Sequence, residues 1–168
     1  MVEELSRELP GLQTFVTLSP APGFAGWLDR VQADPAAAGL AELDLAPLRA
    51  LKVPGWQDDA AVAERLRPLL LNLAATYYLR AKGASGKPAD PVARFHLGNG
   101  ARLERLNWLG DVSPKGLREA HGLMVNYLYD LSFIEANHEA FANDGMVVAA
   151  KAVLQRLPAI QPAPETVA

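Results

Sequence analysis

The sequence predicts a mixed α+β domain with more helix than strand. Short runs rich in Thr, Phe, Val and Tyr alternate with Gly/Pro turns, as strands do. A longer stretch carries Leu66, Leu69, Leu70, Leu73 and Tyr77 at i, i+3, i+4, i+7 spacing, as a helix does. There is no internal repeat and no heptad array, which excludes a solenoid or coiled coil. A chain of 168 residues is one domain by length and large enough to bury roughly 70% of its unfolded surface.

In chain order, Val2–Leu9 reads as the last turns of a helix stopped by Pro10 and Gly11. Leu12–Leu18 is a strand, followed by the stiff loop Ser19-Pro20-Ala21-Pro22-Gly23, where two prolines preset φ. Phe24–Val31 is a short helix, and a second is expected around Asp44–Leu51. Pro54-Gly55 is a turn. Asp58 or Asp59 caps the long helix, which runs to about Ala81 and which Pro68 should kink or split. Lys82–Pro88 is a surface loop. Pro91–Leu97 and Ala101–Trp108 flank Gly98-Asn99-Gly100, and Asn-Gly between two short runs predicts a hairpin. Ser113-Pro114 is an N-cap with proline at the first helical position, opening a helix that ends near Gly122. Leu123–Tyr129 is a strand. Asn137–Phe141 and Met146–Leu157 are helical, separated by Asn143-Asp144-Gly145. The domain is expected over 1–157, with a disordered tail over 158–168.

Bulk properties remove several function classes. Half of the residues are apolar and 21% are charged, with a net charge of −3 and no basic block. The electrostatic footprint of a nucleic-acid binder is absent. The chain has no cysteine, so disulfides, a thiolate nucleophile and cysteine metal sites are excluded. Met1-Val2-Glu3-Glu4 shows no secretory pattern. The most apolar stretch, Leu69–Leu79, is interrupted by Asn72 and falls short of the ~20 residues a membrane span needs. No membrane partner is expected, and cytoplasm is the expected location.

Taken singly, the chemistry-bearing residues dictate no reaction. Ser19 ends a strand outside any Gly-x-Ser-x-Gly elbow and reads as a hydroxyl closing a turn. His96, in Arg94-Phe95-His96-Leu97, would share a strand face with Arg94. His121 and His138 have no partner at metal-ligand spacing. Tyr127 and Tyr129 would share a strand face. Trp27, Trp56 and Trp108 are read as core.

The strings around these residues say more. Thr17-Leu18-Ser19-Pro20-Ala21-Pro22-Gly23-Phe24 resembles the Ser-Pro segment of malonyl-CoA decarboxylases, with Ala21 in place of a common isoleucine. Asp90-Pro91-Val92-Ala93-Arg94-Phe95-His96-Leu97, then Asn99-Gly100-Ala101 and Asn107-Trp108, resembles that family's histidine segment. Ser113, Gly116, Gly122-Leu123-Met124, Asn126-Tyr127 and Asn137-His138-Glu139-Ala140 continue the match in order.

The resemblance implies part of a GCN5-related acetyltransferase-like fold, with a mixed, mostly antiparallel sheet and flanking helices. It implies malonyl-CoA as substrate and acetyl-CoA and carbon dioxide as products, with no metal or organic cofactor. It marks Ser19 and His96 as catalytic and Tyr129 as a further catalytic-site residue; Asn99 is expected to bind substrate from its proximity to His96 in the motif. The family's coenzyme-A-binding turn, and the strands that pair with Leu12–Leu18, are expected before Met1. The implied partner is therefore the N-terminal part of the enzyme, or a second copy joined through the open strand edge. The competing readings are a related coenzyme-A-dependent acyltransferase and a truncated, non-catalytic interaction module.

Overall fold

A computed structural model describes Glu4 and residues 7–159. Within them, a small antiparallel sheet is packed on one face by helices. Strand β1, Thr14–Pro20, leads through Ala21-Pro22-Gly23 into helix α1, Phe24–Ala33. Residues 36–58 carry short 3₁₀ turns, including Ala46–Lys52. Helix α2, Ala60–Leu79, starts at Asp59, whose side chain accepts from the Ala61 and Val62 amides. This is the capping expected of an aspartate at that position. Pro68 lies inside α2 without splitting it.

The expected hairpin over Pro91–Trp108 does not form. Pro91–Gly98 is instead a helix, α3. Asp90 caps it and Pro91 takes the first helical position, the arrangement proline favours because its missing N–H is not needed there. Gly98-Asn99-Gly100 closes the helix rather than reversing a strand. The Gly100 amide donates to Leu97 O and the Ala101 amide to His96 O, both at 3.1 Å, with Gly100 at φ +88°. That pair of bonds is a Schellman cap, whose left-handed position favours glycine. The Asn-Gly signal located a left-handed turn and assigned it to the wrong element.

Strand β2, Arg102–Asn107, follows. Helix α4, Pro114–Ala120, is capped by Ser113 as expected, its Oγ accepting from Gly116 N at 3.1 Å. Strand β3 is Met124–Asp130, and helix α5 is Ile134–Asp144. The helix expected over Met146–Leu157 is reduced to α6, Lys151–Leu154. The residues before it are extended: Leu103 N donates to Val148 O and Ala150 N to Leu103 O, both at 2.9 Å. Val147-Val148-Ala149 is β-branched and apolar, which suits a segment laid against a sheet edge. Arg80 donates to Pro158 O at 2.9 Å. The remainder of the expected tail, from Ile160, lies outside the described residues, as do Val2, Glu3, Leu5 and Ser6 of the expected N-terminal helix, in which Glu4, Arg7 and Glu8 are helical.

The sheet order is β1-β3-β2. Phe15 pairs with Tyr129, Thr17 with Tyr127 and Ser19 with Val125. By strand alternation these six side chains share one face, and α1, α2 and α3 supply the buried residues around them. The core holds Phe24, Leu28, Leu73, Tyr77, Tyr78, Leu97 and Leu103. Trp27 and Trp56 are buried and Trp108 is partly so. Ser19 therefore points inward because it stands in register with core residues of the neighbouring strand.

Candidate active site

Each expected catalytic side chain is delivered by a different element. Ser19 lies near the end of β1, His96 on the inner face of α3, and Tyr129 near the end of β3. Helical spacing buries Ala93, His96 and Leu97 together, while Phe95 faces outward at 56% exposure. This reverses the strand expectation, which paired His96 with Arg94. Arg94 instead donates to Pro88 O and Ala89 O.

The structure brings Ser19, His96 and Tyr129 together. Ser19 Oγ lies 3.3 Å from His96 Nε2 across 77 positions of sequence. His96 Nδ1 lies 2.6 Å from the Tyr129 hydroxyl. Thr17 Oγ1, two residues back on the same strand face, is 3.2 Å from Ser19 Oγ. The result is a continuous polar chain, Thr17–Ser19–His96–Tyr129, inside an aromatic enclosure. The imidazole stacks on Tyr127 with centroids 4.4 Å apart, and Phe15 stacks on Tyr129 at 4.8 Å.

Burial sets the protonation states. His96 is 8% exposed and Ser19 5%. Desolvation holds the His96 imidazole below its ordinary value, because burial disfavours the charged ring. It pushes the Tyr129 phenol up to about 12. Near neutral pH the pair is thus a neutral imidazole hydrogen-bonded to a neutral phenol.

Asn99 caps the end of α3. Its Nδ2 donates to Phe95 O at 2.9 Å, and the residue is exposed. His138 is also exposed and donates through Nδ1 to Gly98 O at 2.6 Å. Among the described residues no group of three or more histidines and carboxylates converges on a point that could hold a metal ion.

Sequence reasoning did not single out Thr17, Asp90 or Tyr77. Thr17 was detectable, since a hydroxyl at i−2 in a strand shares the face of Ser19. Asp90 was detectable too, from the Asp-Pro helix start. It is fully buried, with Oδ1 accepting from Ala93 N at 2.9 Å and Oδ2 from the Tyr77 hydroxyl at 3.1 Å. The Tyr77 contact had no local signal. Beside the loop after Ser19, a cleft of about 280 Å³ is lined by Pro20, Pro22, Asp111, Lys115 and Met124.

Comparison with known proteins agrees with the strings read in the sequence. The family profile "Malonyl-CoA decarboxylase C-terminal domain" matches residues 1–166. A crystal structure of malonyl-CoA decarboxylase from Rhodopseudomonas palustris superposes with a TM-score of 0.86 at 59% identity, over 94% of this chain and 36% of that one. The protein of the same name from Agrobacterium vitis gives 0.85 at 52% identity, over 94% and 39%. A mitochondrial malonyl-CoA decarboxylase from the goose Anser anser anser is 33% identical over 92% of this chain and 34% of its own length. The chain thus spans about a third of the length of such relatives.

Proposed function

The chain belongs to the malonyl-CoA decarboxylase family, and on that premise we propose that the Ser19–His96–Tyr129 cluster decarboxylates malonyl-CoA to acetyl-CoA and carbon dioxide. The observation that carries this reading is the 3.3 Å approach of Ser19 Oγ to His96 Nε2. Two residues the resemblance marks as catalytic, 77 positions apart in sequence, form one buried pair.

Loss of carbon dioxide from a malonyl thioester breaks the carboxylate–Cα bond and leaves its electron pair as an enolate on the thioester oxygen. A fixed donor aimed at that oxygen stabilises the transition state by a few kcal/mol. In this reading the Tyr129 hydroxyl donates to His96 Nδ1, which leaves the ring proton on Nε2, facing Ser19. The Nε2–H donates to the enolate oxygen and then passes its proton to Cα. As Nε2 gives up its proton, Nδ1 takes that of the Tyr129 hydroxyl, and solvent reprotonates the phenolate, supplying the proton that each turnover consumes. Ser19, backed by Thr17, orients the substrate carboxylate and the imidazole. A neutral histidine suits the donor role, because its N–H needs no imidazolium partner and the apolar enclosure strengthens the bond. Asn99, at the mouth of the same helix end, is assigned to substrate binding.

The sheet and its helices are part of a GCN5-related acetyltransferase-like fold. The chemistry runs on side chains alone. The edge of β1 left unpaired among the described residues pairs with a further strand, from the remaining two-thirds of the relatives' length or from a second copy. The location is cytoplasmic, a reading that rests on the cysteine-free composition. Among the described residues no helix is long and apolar enough to cross a membrane.

The test is carbon dioxide release from malonyl-CoA, with and without a chelator. Release is expected in both, and Ser19→Ala and His96→Asn should each cost about 10²–10⁴-fold, the usual range for a lost general acid or its partner. Full turnover in both variants would overturn the assignment. Acyl transfer to an added amine in place of carbon dioxide release would favour an acyltransferase. Binding of the thioester without either reaction would favour a non-catalytic module.

A further inference from the structure

Ser19 and His96 sit on separate elements, so something must set their distance. Helix α3 has 8 residues, too short to be stable alone, and its placement depends on ties at its ends. At its C-terminal end the tie is the Schellman cap. At its N-terminal end Asp90 does more than cap.

Asp59 caps the much longer α2 through one oxygen, Oδ1, from an exposed position. Asp90 caps through Oδ1 but is 0% exposed, and its second oxygen accepts from Tyr77. Capping alone does not require that burial, which is costly for a carboxylate. Tyr77 is itself fixed by its ring, whose centroid lies 5.7 Å from that of Phe24 and 5.3 Å from that of Trp27.

The third part of the tie is Gly23. Its φ of −95° and ψ of −3° suit any residue, so the backbone does not call for glycine. Space does. A Cβ at position 23 would stand 2.5 Å from the Tyr77 hydroxyl oxygen, yet 3.7 Å from the ring carbon bearing it. Gly23 ends the stiff loop that begins at Ser19. The Tyr77 hydroxyl is therefore where the Ser19 loop meets the start of the His96 helix.

We propose that Tyr77 and Asp90 are positioning residues for His96, forming a buried hydroxyl–carboxylate tie that Gly23 makes room for and that sets the Ser19–His96 distance. The inference rests on the decarboxylase reading for its consequence in turnover, but the tie itself is measurable without turnover.

Two readouts on the whole chain test it. The first is the NMR titration of the His96 imidazole in Tyr77→Phe, which keeps the ring packing and the Ala93 cap. The second is a double-mutant cycle with Gly23→Ala. In Tyr77→Phe the titration should move up toward 6.5 as the loosened helix admits water. The kcat should fall about tenfold, the size of one lost hydrogen bond, with KM for malonyl-CoA within twofold. Gly23→Ala alone should shift the titration the same way. In the Tyr77→Phe background it should add nothing, because the oxygen it strikes is gone. An unmoved His96 titration in Tyr77→Phe, or an equal effect of Gly23→Ala in both backgrounds, overturns the proposal. A shifted titration in a chain that releases no carbon dioxide leaves the tie standing and removes the decarboxylase reading. Should Tyr77→Phe fail to fold, Gly23→Ala alone decides by the same titration.

Discussion

His96 offers two ring nitrogens, and each meets a hydroxyl with a different task. Nδ1 is held by Tyr129 at 2.6 Å, whereas Nε2 faces Ser19 at the longer distance of 3.3 Å, which a substrate oxygen could replace. The two tyrosines beside the ring are not equivalent. Tyr129 bonds the imidazole, while Tyr127 stacks on it and turns its own buried hydroxyl toward that of Tyr78. Burial pushes the Tyr127 phenol far above its ordinary range. Truncating one of two facing buried hydroxyls costs about 1 kcal/mol, because the other is left behind without water. Tyr127→Phe should therefore lower the thermal midpoint and leave the His96 ring-nitrogen shifts unchanged. Tyr129→Phe should lower turnover about tenfold and change the His96 ring-nitrogen shifts. Equal effects of the two substitutions, read by calorimetry and NMR, would show that the hydroxyls do not differ in the way described. Strand periodicity was enough to place Tyr127 and Tyr129 on one face. It could not say which hydroxyl meets the histidine, because that depends on where α3 crosses the sheet.

Helix α3 is the element on which the site turns, and the one sequence reading misassigned. Asp-Pro at its start and glycine just past its end are helix signals, but a short apolar run next to Asn-Gly reads equally as half a hairpin. The conflict is resolved by packing. At Gly100 a Cβ would lie 2.5 Å from Ile134 O, a backbone atom that cannot swing aside, and φ is +88°. At Gly98, inside the helix, a Cβ would make only ordinary contact with Phe141, at 3.8 Å. Gly100→Ala should thus destabilise by about 1–3 kcal/mol, whereas Gly98→Ala should stabilise by about 0.5–1 kcal/mol. Chemical denaturation of the pair checks both signs. Similar midpoints for the two variants would contradict the cap. The same pattern of local legibility holds at α4 and, to within one residue, at α2: Ser113 was readable as a cap, and Asp58 or Asp59 as the other, because a cap involves only residues two or three apart.

At the scale of the whole molecule, the sheet formed by the described residues is finished on one side and open on the other. Residues 148–150 lie beside β2, while β1 is an edge strand whose outward side chains include Val16 at 53% and Leu18 at 60% exposure. An open edge next to exposed apolar residues is a template for further pairing. The chain also spans only about a third of the length of its relatives. Sedimentation velocity should show an average mass that rises with protein concentration. Leu18→Lys, which places a charge on the outward face without touching Ser19, should shift the population toward monomer. A concentration-independent monomer would contradict the proposed pairing through β1.

The sequence by itself determined the fold class, the strands β1, β2 and β3, a cap at Asp58 or Asp59, the cap at Ser113, and the family to which the chain belongs. Each of these is written in residues near one another or in strings that stand together. Tertiary structure alone decided that Pro91–Gly98 is a helix. It also decided that Ser19, His96 and Tyr129 form one buried chain and that Tyr77 reaches Asp90. These are contacts between elements far apart in sequence. They follow from how the helices lie across the sheet, and that is fixed by the joint packing of Phe24, Trp27, Tyr77, Leu97 and Tyr129. No local pattern carries that information, because burial is a property of the assembled core and not of any segment within it.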